Sequence, residues 1–310
     1  MPLSELIPVS AVLAALFVVD WRRFGRPGTA VSAAQAARWS IVWLLAGVAF
    51  AGVVWIGSGS TLAGQYLGGY LVERVLSVDN LAVLYIVLAG SGAPVAAQAR
   101  ALTWGLVGAL GLRAVLVVVG VALLKVVPGL GAVFGIALIV TAVRLVRREE
   151  MVTDHGPGRL ARATRRVLPS TEDFEGRSVV VRRRGRLLAT PLVPLVVAVM
   201  TADVVFALDS VPAVLSFSRV TWVVLAANGF ALLGLRPLYY LVADLIMRLR
   251  YLKQGLAVVL AIAGASLIAD EFVTVATWVE LVLVLVVLAI ATAASLLLAE
   301  AREGRQGRGR

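Results

Sequence analysis

The chain has 310 residues, 60% of them hydrophobic, and its mean hydropathy is +0.94. One soluble core does not need so much apolar surface, so the composition predicts a polytopic membrane protein. The chain has no cysteine and one histidine, His155 in a polar loop, which excludes thiolate and imidazole sites inside the membrane. The net charge of +11 therefore indicates membrane topology rather than a nucleic-acid-binding surface.

Nine apolar segments are long enough to cross a bilayer as helices, since about 17 to 25 residues suffice. They fall near residues 4–20, 39–58, 64–91, 100–124, 128–147, 191–217, 221–249, 252–269 and 273–300. The sequence therefore predicts an all-α polytopic membrane protein with about nine transmembrane helices. The first segment lacks the cleavage site of a secretory signal and is expected to remain as a helix.

The distribution of basic residues predicts the orientation, because Lys and Arg are retained on the cytoplasmic side. The segment from Arg147 to Arg186 contains eleven arginines and is therefore predicted to be cytoplasmic. With alternating helices, the N terminus then lies outside and the C terminus lies in the cytoplasm. The same arrangement places the other basic clusters inside.

Two polar segments lie outside the predicted helices. In the basic loop 148–190, Arg177–Arg186 has the apolar run and the glycine turn of a short hairpin. The arginines of this loop either bind acidic lipid headgroups or a partner, or they only set the topology. The tail from Arg302 to Arg310 is rich in Gly and Arg and is predicted to be disordered.

Two acidic segments interrupt the apolar helices. Residues 73–80 read Glu-Arg-Val-Leu-Ser-Val-Asp-Asn, and residues 203–210 read Asp-Val-Val-Phe-Ala-Leu-Asp-Ser. In both, an acid is followed six positions later by Asp and then by a small polar residue. A charged side chain at the bilayer centre costs at least about 2.5 to 3.5 kcal/mol, so these carboxylates indicate function or tight pairing.

The acidic segments belong to a longer internal repeat. Gly111-Leu-Arg113 recurs as Gly234-Leu-Arg236, and residues 134–145 align with residues 256–267. Each unit holds three predicted helices, and because three is odd, the second unit must enter the membrane from the opposite side. The predicted organisation is peripheral helices in 1–63, a first repeat in 64–147, the basic loop 148–190, a second repeat in 191–269, and a last helix with its tail in 270–310.

Helical geometry restricts how the acids can meet. At 100° per residue, an unbroken helix places Ser77 and Asn80 on the face of Glu73 and turns Asp79 about 120° away. The same spacing pairs Ser210 with Asp203 and turns Asp209 aside. Either the helices break near these aspartates, or several helices converge on one site. Pro212 favours a break in the second segment, because it removes the hydrogen bond to the carbonyl of Leu208.

The available oxygen ligands predict the class of ion. Carboxylate, amide and carbonyl oxygens without thiol or imidazole suit hard cations such as Mn²⁺, Mg²⁺ or Ca²⁺. The candidate ligands are Glu73, Asp79, Asn80, Asp203, Asp209 and Ser210, with Ser77, Pro212, Arg113 and Arg236 in support. The two arginines either supply counter-charge to the empty site or form an ion pair that only packs helices. Glu73, Arg113 and Arg236 leave open an intramembrane enzyme acting on lipid phosphates.

The two acidic segments, Glu73–Leu81 and Asp203–Pro212, resemble the signature segments of the TerC family of tellurium-resistance membrane proteins. Further likeness lies at Trp104–Leu110, Ala189–Leu192, Phe230–Arg236 and Tyr251–Leu256, so the resemblance covers roughly residues 70 to 270. One position departs from the family pattern: Met200 stands where members often have Glu.

The resemblance implies a bacterial inner-membrane protein related to the LysE-type exporters, with a role in Mn²⁺ efflux and tellurite resistance. It implies that the acidic-segment residues line an ion pathway. We therefore expect a secondary transporter without enzymatic activity or cofactor, with protons as a counter-substrate taken up by the emptied carboxylates. No phosphate-binding Gly-Lys-Ser/Thr motif occurs, so the chain carries no built-in ATPase. The alternative is a non-transporting scaffold of a metal or tellurite stress response, acting through the basic loop.

Overall fold

The structure, a computed structural model, describes residues 3–24, 32–147, 180–183, 186–248, 252–273 and 276–307. Within these ranges the chain forms ten helices and one two-stranded hairpin. The elements are α1 Leu3–Phe24, α2 Ala33–Ser58, α3 Ser60–Ala89, α4 Val95–Val126, α5 Leu130–Arg147, β1 Val180–Arg183, β2 Arg186–Ala189, α6 Leu192–Phe217, α7 Thr221–Leu232, α8 Leu235–Arg248, α9 Leu252–Ala269 and α10 Thr277–Gly307.

The chain is a polytopic, mainly helical membrane protein. In the described ranges, six stretches of helix are long and apolar enough to cross a membrane. They are Ala33–Ser58, Ala97–Val126, Leu130–Arg147, Leu192–Phe217, Thr221–Leu241 and Thr277–Ser295. Helix α3, which carries the first acidic segment, is not among them. The count of nine spans and the inverted repeat stay predictions.

The break favoured at Pro212 is not present, whereas a break that was not predicted from the sequence occurs at Leu233–Gly234. Helix α6 continues through Pro212, and its last two turns are buried, so packing against neighbouring helices offsets the hydrogen bond lost at the proline. The run predicted as one helix over 221–249 is instead divided at Leu233–Gly234. Gly234 has a φ of +78°, and a Cβ there would lie 2.7 Å from the Cβ of Trp43, so only glycine fits.

Close contacts at glycine residues join the central helices. In α4, a Cβ at Gly105 would lie 2.3 Å from Val199, and one at Gly108 would lie 2.6 Å from Met200 of α6. In α5, a Cβ at Gly135 would lie 2.4 Å from the carbonyl oxygen of Gly264 in α9. Small residues let helix backbones approach this closely, which is how membrane helices pack without a hydrophobic driving force.

Helix α2 is joined to α3 by two tyrosines. The Tyr66 hydroxyl donates to the carbonyl of Gly47 at 2.9 Å, and the Tyr70 hydroxyl donates to the carbonyl of Leu44 at 3.1 Å. Both rings are fully buried and stack with centroids 6.0 Å apart. These contacts fix the N-terminal half of α3, from which the acidic segment continues.

The structure confirms the predictions for the two polar segments only in part. The predicted hairpin is present, with β1 antiparallel to β2 and Val180 opposite Ala189. Residues 148–179, which make up most of the basic loop, lie outside the described ranges. Helix α10 continues to Gly307, so the tail predicted to be disordered begins as helix. Its Ala, Glu, Gln and Arg residues are good helix formers, which outweighs the two glycines up to that point.

We predict that Gly135→Ala lowers the free energy of unfolding by about 1–3 kcal/mol, because the added methyl meets a backbone carbonyl that cannot move alone. The measurement is thermal unfolding of the purified protein in detergent. Gly52→Ala in α2 is the matched control, since its added Cβ has no atom within 4 Å. Equal thermal stability of both variants would contradict the close contact between α5 and α9.

Candidate functional site

The first acidic segment lies on an unbroken stretch of α3. Glu73 is fully buried, and the hydroxyl of Ser77, one turn later, donates to its Oε1 at 3.5 Å. These two side chains share a helix face, as the spacing of four residues predicts. Asn80 is partly buried on the same helix. The side chain of Asp79 lies outside the described part of the structure.

The second acidic segment meets the first through Arg113 of α4. The Nε and Nη2 of this guanidinium donate to the two carboxylate oxygens of Asp203 at 2.9 and 2.8 Å. Its Nη1 donates to Oε1 of Glu73. A fork of two parallel bonds between arginine and a carboxylate is among the strongest polar contacts in proteins. Three buried charges from α3, α4 and α6 are thus joined at one point.

Two neutral oxygens complete the surroundings of the guanidinium. Ser210 Oγ accepts from Arg113 Nη1 at 3.2 Å, and Asn228 Oδ1 of α7 accepts from the same nitrogen at 3.3 Å. The Asn228 amide nitrogen donates to the carbonyl of Val224 at 3.0 Å, which holds its oxygen toward the site. We call the oxygens of Glu73, Asp203, Ser210 and Asn228 the oxygen cage.

Asn228 was not among the residues predicted from the sequence. Its signal was present, since it is the only side-chain amide in α7, whose other residues are apolar apart from Thr221. A buried polar residue in an apolar membrane helix is functional or paired by default, because hydrocarbon cannot satisfy its hydrogen bonds.

The oxygen cage carries a surplus of negative charge. Two carboxylates and one guanidinium leave a net charge of −1, and all three side chains are at least 95% buried. Glu73 Oε2 is also buried and has no hydrogen-bond partner among the described residues. A buried, uncompensated charge is destabilising, so the site is poised to accept additional positive charge.

Asp209 lies apart from the oxygen cage. Its Oδ1 accepts a hydrogen bond at 3.0 Å from the hydroxyl of Thr141 in α5. The helix geometry predicted this separation, because Asp209 and Asp203 point to different faces of an unbroken α6. Within the described side chains, no three Asp, Glu, His or Cys residues are grouped closely enough to hold a metal ion.

Arg236, which the repeat aligns with Arg113, belongs to a different cluster. Its Nη1 lies 3.4 Å from Oδ2 of Asp20, a buried residue of α1. Beside them, Arg74 donates to the carbonyls of Ala231 and Leu233 at 2.9 and 2.7 Å, next to the α7–α8 break. Of the residues in the lipid-phosphate alternative, Glu73 and Arg113 meet in the oxygen cage, whereas Arg236 lies beside Asp20.

The two remaining positions of interest lie on α6. Pro212 is buried two residues after Ser210 and does not interrupt the helix. Met200, which stands where a further acid was expected, packs against Gly108 of α4. An apolar thioether therefore occupies a contact surface between α4 and α6.

The model of the integral membrane protein TerC family matches residues 58–303 of this chain. The chain belongs to the TerC family. The match includes both acidic segments, Arg113 and Asn228, so the oxygen cage lies entirely within the TerC region. No solved structure matches the chain.

Three related proteins align with most of this chain. A Myxococcus xanthus protein named "Uncharacterized membrane protein STKORF319" is 35% identical over 93% of this chain and 90% of its own length. The Escherichia coli K12 protein named "Putative membrane-bound redox modulator Alx" is 33% identical over 85% of each chain. The Arabidopsis thaliana "Thylakoid membrane protein TERC, chloroplastic" is 34% identical over 73% of this chain and 59% of its own length.

We predict that Arg113→Ala lowers the free energy of unfolding by about 3–5 kcal/mol, because it leaves two buried carboxylates without their counter-ion. Arg219→Ala is the control, since Arg219 forms a 3.4 Å ion pair with Asp270 and is far more exposed. The loss of such a surface pair is expected to cost about 0–1 kcal/mol. Thermal unfolding in detergent compares the two variants. Similar stability losses would show that Glu73 and Asp203 do not depend on the Arg113 guanidinium to compensate their charges.

Proposed function

We propose that this protein is a secondary transporter that exports a divalent metal cation, with Mn²⁺ as the favoured substrate. The observation that carries the proposal is the meeting of Glu73 and Asp203, from the two acidic segments, inside an apolar helical protein. Inward-facing carboxylates within membrane helices are typical of ion pathways. Their net charge of −1 with Arg113 in place favours binding of a cation over an anion.

The chemistry of the cage supports a hard cation. It offers two carboxylates, one amide oxygen and one hydroxyl oxygen, and the whole chain contains no cysteine. Oxygen ligands of this kind suit Mn²⁺, Mg²⁺ and Ca²⁺, whereas thiolates would favour softer metals. The name of the E. coli relative refers to redox modulation, and without cysteine a redox role of this chain would not use thiols of its own.

The proposed pathway continues from the cage to Asp209 on the other face of α6 and to Asp79 and Asn80 on α3. Asp209 makes its hydrogen bond to Thr141 outside the cage, which supports a second position along the path. Protons are the proposed counter-substrate. The proposal requires that ions pass between these positions as the helices move.

We infer nine membrane-spanning helices with an inverted repeat of three plus three, in which α3–α5 correspond to α6–α9. Such repeats place a substrate site near the midplane, between the two units. Glu73 and Asp203 each lie on the first helix of their unit, which supports this pairing. The inferred location is a bacterial inner membrane with the N terminus outside and the C terminus in the cytoplasm.

We predict that Asp79→Asn, Asp203→Asn and Asp209→Asn each lower Mn²⁺ flux at least about tenfold, equivalent to roughly 1.4 kcal/mol in the transport barrier. The measurement is Mn²⁺ flux in proteoliposomes, compared across Mn²⁺, Mg²⁺ and Ca²⁺. Glu271→Gln is the control, because Glu271 is exposed beyond the end of α9 and should leave the flux unchanged. Wild-type flux in all three aspartate variants would remove these residues from the pathway.

The alternative function is a scaffold that does not transport and recruits a partner through the basic loop 148–190. The observation in its favour is the charge of the β1–β2 hairpin, which carries Arg182, Arg183 and Arg186. A cluster of basic residues in the sequence suits an acidic partner or anionic lipid headgroups. The scaffold role and the transport role make opposite predictions for the loop.

We predict that replacing residues 148–179 with a Gly/Ser linker weakens Mn²⁺ resistance of cells by only a few-fold, because the cage and α3–α9 remain intact. A scaffold acting through this loop would lose its function completely. The measurement is growth of an Mn²⁺-sensitive bacterial strain that expresses each variant. Asp203→Asn in the same strain serves as the comparison, since it should abolish resistance while the loop stays intact.

A further inference from the structure

Arg113 occupies the position at which a cation would contact the oxygen cage. Its three nitrogens donate to oxygens from four side chains, which come from α3, α6 and α7. The guanidinium is as buried as the carboxylates it touches. A divalent ion cannot reach the facing oxygens of Glu73 and Asp203 while the guanidinium lies between them.

We propose that Arg113 is a tethered cation that competes directly with the divalent ion for the oxygen cage. This inference rests on the proposed transport function and names the side chain that sets cation affinity at the same site. When the guanidinium withdraws, the two carboxylates carry a charge of −2, which one divalent ion neutralises. The guanidinium then returns to the carboxylates when the ion leaves.

Contacts that do not involve Arg113 hold oxygens of the cage in place when the guanidinium withdraws. Asn228 Oδ1 is held in place by the bond from its amide nitrogen to Val224, independently of Arg113. Ser77 holds Oε1 of Glu73 from one turn away along α3. Glu73 Oε2 has no partner among the described residues and is available to the ion. Asn228 therefore belongs to the proposed cation site as a neutral oxygen ligand.

The two other buried arginines cannot fill this role. Arg74 is engaged by the carbonyls of Ala231 and Leu233, and Arg236 lies beside Asp20. Both are close to the α7–α8 break and contact neither Glu73 nor Asp203 in any described hydrogen bond. Among the side chains that the structure describes, only Arg113 therefore has the contacts of a competitor. The equivalence of Arg113 and Arg236 in the repeat does not extend to their function.

Loss of a tethered competitor should raise the affinity for the divalent ion and lower the turnover. Without it, the divalent ion no longer displaces a bound charge, so equilibrium binding becomes tighter. The same loss slows the cycle, because the emptied carboxylates have no internal counter-ion with which to reorient and because the ion is released more slowly. An arginine that only packs helices would change neither quantity in this paired manner.

The test is Mn²⁺ binding by isothermal titration to the purified full-length protein in detergent, combined with Mn²⁺ flux in proteoliposomes. Arg113→Gln is expected to lower the Kd for Mn²⁺ at least about tenfold and to lower maximal flux at the same time. Arg74→Gln is the burial-matched control: it removes a buried guanidinium that does not touch the cage and should leave the Kd unchanged. An unchanged or higher Kd in Arg113→Gln overturns the inference.

A second variant covers the case in which Arg113→Gln does not fold. Arg113→Lys keeps a positive charge but replaces the fork with a single ammonium, which cannot bond both carboxylates in the same way. Its Kd for Mn²⁺ should fall below the wild-type value, and a wild-type Kd or a higher one counts against a competitor. Asn228→Leu in the Arg113→Lys background should raise the Kd again if the amide oxygen is a ligand.

The outcomes separate this inference from the transport proposal. Wild-type protein that moves no Mn²⁺, together with tighter Mn²⁺ binding in the Arg113 variants, would overturn transport and support the tethered cation. Wild-type protein that moves Mn²⁺, with an unchanged Kd in the Arg113 variants, would support transport and overturn the tethered cation.

Discussion

The buried contact of Arg113 with Glu73 and Asp203 is the interaction on which the rest of the site depends. None of the three charges could remain in an apolar interior alone, because an isolated buried charge costs several kcal/mol. Together they join α3, α4 and α6, and the amide of Asn228 adds α7. The acidic segments are thus brought together by an arginine from a third helix rather than by direct contact with each other.

Close helix packing is the condition that allows this contact. The fork between Arg113 and Asp203 requires α4 and α6 to lie at short range, and Gly105 and Gly108 provide it two turns and one turn before Arg113. Met200 belongs to the same contact. An acidic side chain at that position would face the glycine surface of α4, where its charge would need a new partner. The methionine therefore matches the packing of this chain, and the cage relies on Asn228 and Ser210 for further oxygens.

The sequence predicted the parts of the site that follow from local periodicity. Glu73 with Ser77, Asp203 with Ser210, and the turned-aside Asp209 all follow from 3.6 residues per turn. Features that depend on tertiary contact were missed or misplaced. Pro212 is a strong local signal for a break, yet α6 continues through it, whereas the break at Leu233–Gly234 places a glycine with a φ of +78° against Trp43. Helical periodicity alone cannot indicate which neighbour a residue will meet.

The two adjacent charges at the start of the first acidic segment have different roles. Glu73 contributes its carboxylate to the oxygen cage. Arg74, about 100° further around α3, donates hydrogen bonds to the carbonyls of Ala231 and Leu233 at the α7–α8 break. Asn228, the amide of the cage, lies on α7 only one turn before those carbonyls. Helix α3 therefore contacts both the cage and the break through neighbouring residues. The two roles use separate side chains, so the bonds of Arg74 to the break can be lost without removing a contact of the oxygen cage.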